Sequence, residues 1–201
     1  MAVANGGSLW LHFQTDPIAV YLPLLQKGFY IEIPTDNLLE TLCRTCGLEA
    51  DQIRKRIQTL FLNGKPVDDP ATASVRDGDC LALSAAMPGL VGAVMRSGGV
   101  LAGLRQSISH QPDKAPQRRR GGILSVKLFN LLIREIGPRF LEQGILVRTD
   151  DLDRLLKSLT QADWDNCRTA QWNQQPIRTE ALKCMDWPME SHFMRLRITF
   201  G

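Results

Sequence analysis

Residue types able to do chemistry are thinly spread in this 201-residue chain: five cysteines, three histidines and one run of arginines. Cys43-Arg-Thr-Cys46 is a CxxC pair. A redox CxxC needs its thiolate at a helix N-terminus, where free N–H groups and the dipole lower the thiol pKa. The local pattern instead puts both cysteines at the C-terminal end of a helix and on its apolar face, so packing is the expected role. Zinc binding with Cys80 as a third ligand is the alternative, although no second CxxC or HxxxH completes four ligands at the usual spacing. His12, His110 and His192 share no motif and read as packing or surface residues. No GxSxG, HExxH, P-loop or GxGxxG occurs. The cluster Asp150-Asp-Leu-Asp153 suits the first turn of a helix, whose dipole favours carboxylates, better than it suits a metal. No catalytic constellation is expected, and no cofactor.

Two other groups have binding chemistry. Lys114 with Arg118, Arg119 and Arg120 forms a basic patch that a phosphate or an anionic surface could use. No aromatic interleaves with it, as a single-strand platform requires, so a solvated linker is the expected reading. Trp164, Trp172 and Trp187 sit in polar sequence and suit either partner anchoring or the core of a small α+β unit.

The elements that must position these residues follow from composition and periodicity. With 44% hydrophobic and 22% charged residues the chain is ordinary globular material, neither disordered nor a disulfide-dense mini-protein. Its net charge of +3 gives no global case for nucleic acid. The charge is uneven, however. Residues 1–90 carry 7 basic and 10 acidic side chains, residues 91–122 carry 6 and 1, and residues 123–201 carry 11 and 10. The middle stretch is also rich in glycine, with prolines near its end. The expected organisation is therefore an N-terminal domain (1–90), a basic glycine-rich connector (91–122) and a small α+β C-terminal domain (123–201). Met1–Ser8 has no basic n-region or apolar stretch, and Met87–Leu104 reads poorly as a membrane span because Arg96 interrupts it, so a cytoplasmic protein is expected.

In the first block, Leu9–Phe13 and Phe29–Ile33 read as strands. Pro34-Thr-Asp36 offers an N-cap to a helix bearing Leu38, Leu39, Leu42, Cys43 and Cys46 on one face, and Gly47 offers its C-cap. Ile57–Leu62 reads as a strand, Asn63-Gly64 as a hairpin turn, Lys65-Pro66-Val67 as its short return strand, and Cys80–Leu83 as the last strand after the turn Arg76-Asp-Gly-Asp79. The expected order is β-β-α-β-β-β. In the third block, Ile123–Ile136 shows helix-like apolar spacing ended by Gly137-Pro138, a further helix carries Leu152, Leu155, Leu156 and Leu159, and Phe193–Phe200 alternates as a half-buried strand. Trp172-Asn-Gln-Gln-Pro-Ile177 echoes Leu62-Asn-Gly-Lys-Pro-Val67, which would fit a second, degenerate copy of the first unit.

The runs Ile31–Leu42, Phe61-Leu-Asn-Gly-Lys-Pro-Val67 and Val75-Arg-Asp-Gly-Asp-Cys-Leu-Ala-Leu83 make this N-terminal block similar to the ubiquitin-like β-grasp proteins, and most similar to sulfur carriers of the ThiS and MoaD kind. The resemblance covers about a third of the chain and implies an α+β fold. It also implies a chemistry: such carriers act through a C-terminal Gly-Gly whose carboxylate is adenylated by an E1-like adenylyltransferase and then thiocarboxylated. Here the matching pair, Gly98-Gly99, is internal, and only a cut after Gly99 would restore that end. The expected function is thus a non-catalytic adaptor with a protein partner and with neither nucleic acid nor membrane as ligand. The alternatives are a carrier or modifier processed at Gly99 and, third, an enzyme with its site between the two blocks.

Overall fold

The computed structural model describes residues 6–85, 87–105, 107–111, 121–185, 187 and 192–201. They form an α+β fold around a single ten-stranded sheet. Strand β1 (Ser8–Phe13) is followed by helix α1 (Ile18–Lys27), β2 (Phe29–Glu32), α2 (Leu38–Cys46), α3 (Ala50–Arg56), the β3–β4 hairpin (Thr59–Leu62, Lys65–Pro66) and β5 (Cys80–Ser84). The connector contributes α4 (Gly89–Met95) and a 3-10 helix, Val100–Arg105. Then come β6 (Ile123–Phe129), α5 (Leu132–Gln143), β7 (Ile145–Arg148), α6 (Thr149–Ser158), α7 (Gln161–Asn166), the β8–β9 hairpin (Cys167–Trp172, Gln175–Pro176), α8 (Thr179–Lys183) and β10 (Phe193–Phe200). No helix of the described residues is long and apolar enough to cross a membrane.

Several local expectations are corrected. Helices α1 and α3 interrupt the expected strand order. Helix α2 is capped by Asn37, whose side chain accepts the Glu40 N–H, and not by Asp36. Gly47 ends that helix in the left-handed conformation, as expected. Asp150 and Asp151 occupy the first turn of α6 behind an Arg148 N-cap that makes no side-chain capping bond. Ile123–Phe129 is a strand: Leu124, Val126 and Leu128 are fully buried at a period of two, which the helix-like spacing of the longer run had masked. The following helix runs through Gly137-Pro138 instead of stopping there. Proline there removes one intrahelical N–H donor. Burial of Ile133, Ile136, Phe140 and Leu141 outweighs that loss, and Phe140 stacks edge-on against Phe29 at 5.1 Å. Gly137 lets α1 approach, since a Cβ there would lie 2.7 Å from Leu25 Cδ1.

The strand order is β4-β3-β5-β6-β2-β7-β10-β1-β8-β9. Strands on both sides of the connector therefore alternate in one sheet. The two blocks expected at 1–90 and 123–201 are not separately cored, because one buried cluster runs from Leu9 to Ile198. The halves nonetheless repeat each other. Capping boxes open α3 (Glu49 with Gln52) and α7 (Thr160 with Asp163). Asn63-Gly64 and Asn173-Gln174 both have positive φ, and each hairpin closes alike: Val67 N–H donates to Leu60 O at 2.9 Å, Ile177 N–H to Ala170 O at 3.0 Å. Asn63 Oδ1 accepts the Cys80 N–H at 2.9 Å, whereas Asn173 Oδ1 accepts the Ser8 N–H at 2.8 Å. Beside β8, then, β1 takes the place that β5 takes beside β3. Strands are exchanged between the halves: β6 lies parallel to β5 and β10 parallel to β1.

One residue breaks the repeat. Gln174 holds φ +66°, where its counterpart in the first hairpin is Gly64. Non-glycine residues pay a steric cost in that region. Gln174→Gly is expected to stabilise the fold by about 1 kcal/mol, raising Tm by roughly 2–4 °C in a thermal melt.

Candidate functional site: the folded connector

The first half of the basic glycine-rich connector expected at 91–122 is folded: α4 and the 3-10 helix Val100–Arg105 occupy it. Their anchor is Arg105, the one charged residue between Arg96 and Asp113. Its side chain is 1% exposed, and all five guanidinium donors are used. Nη2 and Nη1 bind the Asp68 carboxylate at 2.7 and 3.2 Å; Nε donates to Val94 O at 2.7 Å, Nη2 also to Arg96 O at 3.2 Å, and Nη1 also to Ser109 Oγ at 2.7 Å. This one side chain thus joins both connector helices to the bend that follows the first hairpin. Between the helices, Ser97 N–H donates to Gln58 O and its hydroxyl to Val67 O.

Gly98 and Gly99 lie in this turn. Gly98 has φ +62° and donates its N–H to Asp68 Oδ1 at 3.3 Å, while Gly99 N–H donates to Arg96 O at 3.2 Å. The glycine pair is folded back, not extended. Gly92 is fixed as well, since a Cβ there would meet Met87 O at 1.9 Å. The turn borders a cleft of about 650 Å³ lined by Ile53, Arg54, Gln58, Asp69, Arg96 and Gly98. The helices turn large aliphatic side chains outward: Leu90 is 72% exposed, Val91 64%, Val100 fully and Leu104 74%.

Lys114, Arg118, Arg119 and Arg120 lie outside the described residues. The cysteines are all free and are not gathered. Cys46 is buried in the core and Cys43 packs half-buried against it. Cys80 pairs with Ser125 on the other face of the sheet. Among the described residues no group of three or more His, Cys, Asp or Glu is placed to hold a metal ion. Burial pushes the Cys46 thiol far above its usual range, and those of Cys43 and Cys167 in the same direction, which disfavours a reactive thiolate. Of the two readings of the tryptophans, packing is the one seen: Trp164 and Trp187 are buried, and Trp187 stacks edge-on against Trp172 at 5.4 Å. His12 Nδ1 is hydrogen-bonded to Thr199 Oγ1 at 2.9 Å, and His192 is exposed.

The sequence reading missed Arg105 and Asp68. The signal was present: a single arginine in an otherwise uncharged, glycine-rich run must either break that run's packing or find a buried partner. The arrangement sets a cleft beside two short helices that turn aliphatic side chains outward. The chain matches no family model, no curated protein and no solved structure.

Proposed function

We propose that the protein is a non-catalytic adaptor built on a ubiquitin-like β-grasp plan, with the connector as its contact surface for a protein partner. The observation that carries this reading is the exposure of Leu90, Val91, Val100 and Leu104 on two short helices that the buried Arg105 ties together and to Asp68. A flexible linker has no reason to be built around a buried arginine with every donor bonded, and folded chains seldom hold several large aliphatic side chains in water unless something covers them. Support for the β-grasp plan comes from the order β4-β3-β5-β6-β2, a hairpin, a central parallel pair and an antiparallel neighbour.

The second reading, a sulfur carrier activated by an E1-like enzyme after cleavage at Gly99, needs a free extended Gly-Gly end. The bonds at Gly98 and Gly99, and the integration of downstream β6 into the sheet, count against it. Both readings meet one experiment: affinity purification from cells that express the protein, with intact-mass measurement. The adaptor reading expects full-length chain of 22.5 kDa with a protein partner that is lost with Leu90→Asp and Leu104→Asp. A thiocarboxylated fragment ending at Gly99 would overturn it.

A further inference from the structure

The two ends of the chain meet on the sheet face opposite the helices. Side chains alternate along a strand, so burial of Leu9, Leu11, Met194 and Leu196 in the core points Trp10, Arg195 and Arg197 to the other side. Register then sets Trp10 between Arg197 on β10 and Gln171 on β8, and Arg195 between Ser8 and Leu146. Further along, Tyr30 lies beside Leu146 and meets Phe193 edge-to-face at 4.8 Å. Two aromatic stations, Trp10 and the Tyr30–Phe193 pair, are thus separated by arginine.

The charge on this face is one-sided. The outward positions of β1, β2, β6, β7 and β10 hold Lys127, Arg148, Arg195 and Arg197 against a single carboxylate, Glu32, which Arg195 contacts at 2.9 Å. Between β1 and the α5–β7 junction lies a cleft of about 420 Å³, whose lining includes Ser8, Trp10, Gln171, Gln174, Arg195 and Arg197. The Trp10 indole N–H donates to Thr199 Oγ1 at 2.9 Å, which fixes the ring. Arg197 sits 5.9 Å from the ring centroid and donates Nε to Glu142 O. Glu142 also lines this cleft, and its carboxylate lies 4.0 Å from the Arg139 guanidinium.

We propose that this open face binds single-stranded RNA. Unpaired bases stack on fixed aromatic rings whatever their identity, and guanidinium groups between the rings meet the phosphates. The hydroxyl and amides of Ser8, Gln171 and Gln174 beside the indole suit the ribose 2′-hydroxyl, which is both donor and acceptor. A duplex keeps its bases stacked on each other and gives the rings nothing to receive. The aromatic interleaving missing around Lys114 and Arg118–Arg120 is here created by folding, from Trp10 near one end of the chain and Arg195 and Arg197 near the other. This site is separate from the connector and goes beyond the adaptor reading.

The test is fluorescence anisotropy of a labelled oligouridylate of about twelve nucleotides titrated with the full chain at several salt concentrations. Binding that weakens with salt is expected. Trp10→Ala should weaken it at least about fivefold, while Trp10→Phe, which keeps a stacking ring but no bond to Thr199, should stay within about threefold of wild type. Changing Arg195 and Arg197 together to Gln should lower the log–log salt slope by about 1.4. The proposal fails if RNA does not bind at low salt, if these variants bind like wild type, or if Trp10→Phe loses as much as Trp10→Ala. Equal or tighter binding of the matching deoxyoligonucleotide or of duplex RNA also overturns it.

Discussion

Asp68→Ala is expected to destabilise the connector by about 3–5 kcal/mol, and to do more damage than removal of its partner Arg105. The asymmetry follows from exposure. The Asp68 side chain is 43% exposed and the Arg105 side chain 1%. Without Arg105, the Asp68 carboxylate turns to water. Without Asp68, a guanidinium stays in a dry site with only two carbonyls and a hydroxyl to answer its charge. The loss should be local, because α4 packs chiefly on the neighbouring 3-10 helix while the sheet carries the main core. Limited trypsin digestion should therefore cut Asp68→Ala early at Arg96 and Arg105 while the main melting transition moves little. Arg105→Met, compared at the shared Arg96 site, should be cut more slowly than Asp68→Ala. Equal cutting of both variants, or no change in either, would show that the ion pair does not hold the connector.

Much of the fold was legible because it is locally encoded. Asn63-Gly64, Gly47 and the alternation of Phe193–Phe200 act over a few residues, and each appears in its expected place. The echo between residues 62–67 and 172–177 was visible for the same reason, as two hairpins of one geometry. What escaped depends on long-range packing. Pro23 and Pro138 argue against helices when read alone, yet α1 and α5 run through them because Tyr21, Leu25, Ile136 and Phe140 are buried in the shared core. The Asp68–Arg105 pair spans the first hairpin and the connector, and neither residue is unusual in its own neighbourhood. The platform around Trp10 draws on both ends of the chain, so no window of sequence contains it.

Strand exchange makes the second large prediction, which concerns a severed chain. Introducing a specific protease site within residues 112–120 and cutting it should yield two pieces that remain one particle. Strand β6 belongs to the second piece, yet it lies between β5 and β2 of the first, with Leu124, Val126 and Leu128 fully buried. At about 1.5–3 kcal/mol per buried aliphatic side chain, those three alone hold the strand by roughly 5–9 kcal/mol before its ladder hydrogen bonds. Strand β1 reciprocates, lying between β10 and β8 of the second piece with Leu9, Leu11 and Phe13 fully buried. Gel filtration of the cut protein should therefore give a single species at the mass of the intact chain, resolved into two only in denaturant. Its Tm should fall and become concentration-dependent, since cutting replaces an intramolecular association by a bimolecular one. Separation of the pieces under native conditions would mean that each half completes its own sheet. The connector would then be the sole link between them, and any processing near Gly99 would release a free N-terminal unit.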